Sequence, residues 1–329
     1  MARVIVTGGA GFIGSELTRQ LLARGYEVVV VDNFVNGSRA NLPEASAGLT
    51  VVEADIRDAG ALAPWLDGTS VVYHLACLGV RHSVHAPDEN HDVNATGTLT
   101  LLRGARAAKV ARFVYVSSSE VYGTAMQVPM TELHPTFPCT VYGGSKLAGE
   151  SYTRAFHRTY GYETVVVRPF NTYGPRSHHE GDSGEVIPKF LLRCLAGKPM
   201  VIFGDGSQTR DFTYVSDSAR GIILAGEHPD AVGRTLNLGF GAETTVAELA
   251  RIVAKAAGRP EAAVEYVEGR PGDVLRLYAD MTQARELLGY APVITLEDGL
   301  GRLLAWYREQ GVAPETLLER EIVRNWIPS

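Results

Sequence analysis

Cysteine is scarce in this sequence: Cys77, Cys139 and Cys194 are an odd set of three in 329 residues, with no metal-binding spacing among them. That excludes a disulfide framework and leaves buried or free thiols in a reducing compartment. Long apolar runs are missing as well. The aliphatic stretches are a few residues each, against the ~20 that a membrane-spanning helix needs. Positive charge is in deficit: 31 Lys and Arg against 37 Asp and Glu give −6. Nothing pulls the whole chain toward nucleic acid or an anionic membrane, although local basic residues can still hold a phosphate. Internal repeats and low-complexity tracts are absent. A strand pattern starts directly after Met1-Ala2-Arg3, which leaves no room for a secretory leader and makes a cytoplasmic protein the expectation.

What is present is the balance of an ordinary globular protein, 45% hydrophobic and 21% charged, with a length that predicts two domains. Short β-branched runs recur at 3–7, 28–31, 51–52, 71–72 and 113–116, with helical patterns between them at 12–24 and 90–108. Fully apolar strands suit a parallel sheet covered on both faces, and their alternation with helices predicts right-handed βαβ units. The regularity persists to 165–168. Beyond it the chain is irregular at 169–188 and 203–212, then predicts a helix near 245–257, a strand near 264–267 and helices near 282–288 and 297–310. The reading is an α/β fold: a Rossmann-type doubly wound parallel sheet (1–168 and 212–240) with a smaller C-terminal substrate-binding domain (169–211 and 241–329).

The first strand runs into Thr7-Gly8-Gly9-Ala10-Gly11-Phe12-Ile13-Gly14, which opens a helix. Glycines serve where the backbone turns tightly and approaches a pyrophosphate, and a helix N-terminus adds amides and partial positive charge. The second strand ends at Asp32-Asn33, where a carboxylate can accept bonds from ribose hydroxyls and repel a 2′-phosphate. Asp55-Ile56, at the next strand end, is placed to meet an adenine. These features predict NAD as cofactor.

Ser117-Ser118-Ser119-Glu120 follows a strand, so its hydroxyls lie at the carboxyl edge of the sheet. Tyr142 and Lys146 share a helix face at i,i+4 spacing. A nearby ammonium stabilises phenolate, so Lys146 is expected to draw the Tyr142 pKa down toward the working range. The phenolate would then take a proton from a hydroxyl that a serine orients.

With these motifs in order, the chain resembles the extended short-chain dehydrogenase/reductases, the family of sugar-nucleotide epimerases, dehydratases and decarboxylases. The similarity covers nearly the whole length. It implies a Ser118-Tyr142-Lys146 triad and a cofactor surface of Gly8, Gly11, Phe12, Ile13, Gly14, Asp32, Asn33, Asp55, Ile56, Leu75 and Ala76, with Tyr142 and Lys146. Asn94 matches the family's structural asparagine and joins that set, whereas Cys77 stands where relatives usually have alanine. The segments 168–176, 203–212 and Arg270-Pro271-Gly272-Asp273 match those beside the substrate diphosphate. Asn171, Arg210 and Arg270 are then expected to bind phosphate, Asp273 to meet the ribose, and Val186 to complete the substrate contacts.

The resemblance also frames the reaction: oxidation of the sugar at C4, then divergence at the ketone. Simple 4-epimerases generally carry a small residue at the position of Glu120, so a carboxylate there suggests a second proton transfer. Dehydratases of TDP-glucose have Asp-Glu where this chain has Ser119-Glu120. The expectation leans to a 4,6-dehydratase of a UDP-sugar, with 4-epimerase and UDP-glucuronate decarboxylase as alternatives; in an ordinary epimerase Glu120 would be a plain structural ion pair. The candidate catalytic set is Ser118, Ser119, Glu120, Tyr142 and Lys146. His178-His179-Glu180-Gly181-Asp182 lacks helical ligand spacing and reads as a loop over the sugar rather than a metal site. Leu277 matches a position where residue size gates an N-acetyl group. By analogy, the helices of Asn94 and Tyr142 would pair in a homodimer.

Overall fold

The computed structural model describes residues 2–44, 46–181, 183–270, 273–324 and 326. Asp182, Pro271 and Gly272, named above, lie outside the described residues. Seven parallel strands form the central sheet. They are β1 (Arg3–Thr7), β2 (Glu27–Asp32), β3 (Leu49–Glu53), β4 (Thr69–His74), β5 (Arg112–Val116), β6 (Glu163–Pro169) and an added edge strand, Thr235–Leu238. Their spatial order is β3-β2-β1-β4-β5-β6 and then the added strand.

Side chains alternate across a strand, so each apolar run feeds two cores. Val4, Val6, Val28, Val30, Val114 and Val165 pack on one face under helices Phe12–Ala23 and Val215–Glu227. Ile5, Val29, Val31, Val72, Phe113 and Val166 pack on the other, under Ala59–Leu66, Thr98–Ala107 and Val141–Tyr160. Leu17 and Leu21 of the first helix are fully buried, a contribution of roughly 1.5–3 kcal/mol each.

The chain leaves β1 for β2 and β3, then crosses back to β4, so a crevice opens at the carboxyl ends of β1 and β4. A third apolar cluster covers that end. It gathers Tyr173, Ile187, Phe190, Leu249, Val253, Leu300 and Leu303, and the first residue of the glycine-loop helix, Phe12, plugs into it.

The helix expected over 90–108 is interrupted. The chain turns through Pro87–His91, a wide turn at Asp92–Gly97 with i→i+5 spacing, and Thr98–Ala107. Gly97 is pressed on the neighbouring strand's loop, where a Cβ would sit 2.8 Å from Ile56 Cδ1. Among the described residues no helix is long and apolar enough to cross a membrane.

Candidate active site

A cleft of about 570 Å³ lies over the carboxyl ends of the strands, within the range of small-molecule sites. Its first half is built on the glycine loop. Gly8 has φ +68°, and a Cβ there would fall 2.7 Å from the Ala76 backbone nitrogen. A Cβ on Gly14 would fall 2.1 Å from the Gly8 carbonyl oxygen. The loop, the helix and the end of β4 therefore touch backbone to backbone, which only glycine permits. Gly11 caps the helix, and Phe12 and Ile13 of its first turn, where amides have no partner within the helix, line the cleft.

Asp32 ends β2 inside this half. Its Oδ2 accepts from the Ala10 amide at 2.9 Å and its Oδ1 from Phe34 at 2.8 Å, while burial raises its pKa. Asn33 Nδ2 donates to Asp55 Oδ2 at 3.2 Å. Arg57 grips the same carboxylate with two bonds of 2.9 and 2.7 Å, holding Asp55 down at about 2. Ile56, Leu75, Ala76 and Cys77 complete the wall. The glycine cradle and the anchored Asp32 fit an adenine dinucleotide with free ribose hydroxyls.

Tyr142 and Lys146 enter from helix Val141–Tyr160, whose start is fixed by Thr140 Oγ1 accepting from the Gly143 amide at 3.1 Å. Ser118 hydrogen-bonds the Tyr142 phenol, and its Oγ accepts from the Glu120 amide at 3.2 Å. The expected lowering of the Tyr142 pKa is not found. Burial, and then Cys77, push it well above its ordinary value, with the Ser118 hydrogen bond acting the other way. Lys146 is itself lowered by burial; its Nζ donates to the Val116 carbonyl at 2.6 Å and lies 4.6 Å from the Tyr115 ring centroid.

Asn94 is not part of the cleft wall. Buried in the wide turn, its side chain accepts from the Leu78 amide at 2.9 Å and donates to the Leu78 carbonyl at 3.0 Å and to Ser145 Oγ at 3.1 Å. It thereby ties the loop after β4 to the tyrosine helix. A second chain supports it: Thr7 Oγ1 bonds His74 Nδ1 at 2.7 Å, His74 Nε2 bonds Thr98 Oγ1 at 2.8 Å, and Thr98 donates to the Asn94 carbonyl at 2.6 Å. Burial holds His74 at about 3, so it is neutral. Sequence reasoning missed His74; its register partner in β1 is Thr7, a signal visible only once strands are paired.

The other half of the cleft is cationic. Arg81, Arg210 and Arg270 line it, with Lys189 and Arg193. Burial and then Arg81 lower Arg270 to about 10, and burial likewise lowers Arg81. Crowded guanidiniums that repel one another mark a place for an anion. Arg270 Nε and Asn171 Oδ1 are buried without a hydrogen-bond partner among the described residues. Arg210 pairs with Asp273 at 2.8 Å and donates to the Val274 carbonyl at 2.6 Å, so Asp273 first serves to aim it. Arg81 was missed, having no motif around it.

Of the segment 168–176, Pro169 to Tyr173 line the cleft. Arg168 turns away into a buried pair with Glu150, and Arg176 pairs with Glu16 at 2.8 Å. Leu277 is packed in the core with no surface on the cleft. His178 and His179 both face Glu180, at 3.0 and 3.2 Å. Val186 opens the next helix at the cleft wall. Ser119 and Glu120 line the cleft too; burial raises Glu120, and its charged neighbours are Arg210, Arg81, Asp273 and Arg270. The last wall is C-terminal. Glu321 pairs with Arg193 at 2.8 Å, Val323 faces the cleft, and Trp326 stacks edge-on to Phe203 at 4.7 Å with Arg270 over both rings.

Comparison with known proteins follows this geometry. The chain is 39% identical over 315 residues to a UDP-glucose 4-epimerase of Mycolicibacterium smegmatis, covering 94% of this chain and 99% of that protein. It is 36% identical to UDP-glucuronic acid decarboxylase 1 of Arabidopsis thaliana, over 94% of this chain and 70% of that one. The crystal structure of DesIV, a dTDP-glucose 4,6-dehydratase from Streptomyces venezuelae with NAD bound, superposes with a TM-score of 0.88 at 38% identity, covering 93% of this chain and 97% of that chain. Residues 4–239 match the model of the NAD dependent epimerase/dehydratase family, and to that family the chain belongs.

Proposed function

We propose that the protein is an NAD-dependent 4-epimerase of a UDP-sugar. The observation that carries this reading is the convergence of Ser118 and Tyr142 at the junction between a dinucleotide-shaped half and a cationic half of one cleft. Gly8, Gly11, Gly14 and Asp32 would hold NAD, which when bound accepts a hydride and returns it. Arg81, Arg210 and Arg270 would hold the diphosphate and so set the sugar against Tyr142. Ser118 orients the C4 hydroxyl and its hydrogen bond favours the Tyr142 phenolate, which takes the hydroxyl proton and returns it to the C4 oxygen after the ketone has turned its other face to the cofactor pocket. Lys146 fixes the tyrosine helix to β5 through Val116.

The 4,6-dehydratase expected from Glu120 becomes the second reading. Glu120 stands among arginines, as a charge partner does, and Ser119 offers no acid for a departing C6 hydroxyl. The similarity to a UDP-glucose 4-epimerase supports the same order. What favours the dehydratase is that the Glu120 carboxyl lines the cleft and burial raises its pKa, which suits proton transfer at C5.

The test is overnight turnover of UDP-glucose, UDP-N-acetylglucosamine, TDP-glucose and UDP-glucuronate, read by chromatography and mass spectrometry. Unchanged mass at a new retention time is expected. Loss of one water would establish the dehydratase, and loss of carbon dioxide the decarboxylase. Tyr142→Phe should cut turnover by about 10²–10⁴-fold; full activity in that variant would refute the assigned chemistry.

A further inference from the structure

Glu185 takes no part in the chemistry above, yet it lines the cleft directly before helix Val186–Leu195. Its amide donates to the His178 carbonyl at 2.8 Å, which ties the start of that helix to His178. The groups that face it can be named element by element. His178 and Glu180 are on its own loop, Tyr142 on helix Val141–Tyr160 and Tyr307 on helix Leu296–Glu309. Glu180 is already bonded to His178 and His179. The arginines sort differently: Arg81 and Arg270 each feel Asp273 and Glu120. The cleft thus carries its positive charge at one end and Glu185 toward Tyr142.

From this placement we infer that Glu185 is a specificity-determining residue that restricts the cleft to nucleotide sugars whose sugar bears no carboxylate. The inference rests on the reading above that the sugar lies against Tyr142. A carboxylate on that sugar would share a poorly hydrated pocket with Glu185, while the arginines are paired with Glu120 and Asp273 and engaged by the diphosphate. Like charges there cost affinity steeply.

Burial raises the Glu185 pKa to about 7, with His178 opposing and Glu180 reinforcing. Below pH 7 its carboxyl is neutral and donates to a sugar hydroxyl or amide. Above pH 7 it is anionic, and the rejection of a uronate sharpens.

The experiment is calorimetric binding of UDP-glucose and UDP-glucuronate to the NAD-loaded protein at pH 6, 7 and 8, for wild type and Glu185→Gln. In wild type the preference for UDP-glucose should be roughly tenfold or more at pH 8 and should shrink toward pH 6. In Glu185→Gln it should fall and lose its pH dependence. A flat ratio in wild type, or an undiminished preference in the variant, would overturn the inference. The wild-type pH series needs no variant to fold. Binding is read independently of turnover, so an inactive protein with the expected binding ratios would defeat the 4-epimerase reading and leave Glu185 standing.

Discussion

Glu150→Gln should destabilise the protein by about 3 kcal/mol, because it strands a buried cation. Glu150 is fully buried and Arg168 is 2% exposed. The guanidinium donates to both carboxylate oxygens at 2.8 and 2.7 Å, and Arg154 shares the acceptor at 2.9 Å. Removing one partner of such a pair costs about 3–5 kcal/mol. The lower end applies because Arg168 keeps the Glu132 carbonyl at 3.2 Å and the Tyr122 ring at 4.5 Å. With an unfolding entropy of about 2.1 cal/mol/K per residue, the melting temperature should fall by ~4 °C. Burial works to raise the Glu150 pKa, but the Arg168 hydrogen bonds outweigh it and hold it below the usual range. A depressed carboxylate stabilises above its unfolded value, about 4.3, and loses that contribution as pH falls through the folded value. Urea unfolding at pH 8, 6 and 4 should therefore give a constant gap between wild type and variant at the first two and a narrowing one at lower pH. A loss below about 1 kcal/mol, or a gap unchanged in acid, would refute the argument. Glu150→Gln with Arg168→Met should recover most of the loss, since it leaves no buried charge unpaired and Arg154 is exposed enough to be solvated.

Two further outcomes follow from the dinucleotide half. Gly14→Ala drives a Cβ into the Gly8 carbonyl and must shift the loop, so NAD affinity by fluorescence titration should drop roughly 10²-fold; wild-type affinity would mean the loop is slack. Asp32→Asn keeps the shape but removes the charge and one acceptor for the Ala10 and Phe34 amides. The ratio of NADP to NAD affinity should rise about tenfold, with a stability loss of ~1 kcal/mol, and an unchanged ratio would remove Asp32 from cofactor choice.

Much of the frame was legible because buried parallel strands announce themselves: Val28 to Val31 cannot be a surface. Strand Val264–Val267 and helix Thr282–Leu288 fell where pattern placed them. The edge strand Thr235–Leu238 was hidden by Asn237, whose side chain accepts from the Tyr122 hydroxyl at 2.7 Å and donates to the Met130 carbonyl at 2.9 Å. Such polar residues look like loop until distant partners satisfy them. The glycine loop, Asp32, Ser118 and Tyr142 were readable as motifs. Arg81, Glu185 and Glu321 were not, since each reaches the cleft from a segment with no signature, and only the fold brings them together. The expected low Tyr142 pKa failed for a related reason: spacing sets which face a lysine shares, but burial and the Val116 carbonyl decide what its charge does.

The cleft is walled at one side by Gly8 and at the other by Val323, nearly the whole chain apart. A ribosome emits the glycine loop well before Glu321 and Val323, and domains generally fold from the N-terminal side as they emerge, at ~5–20 residues per second. The first four sheet strands and their helices can thus be in place long before Arg193 meets Glu321. A nascent chain passes through a stage in which the dinucleotide cradle is built but its opposite wall does not yet exist. Capture of the cofactor during synthesis is then geometrically open, while the sugar nucleotide must wait for the finished chain.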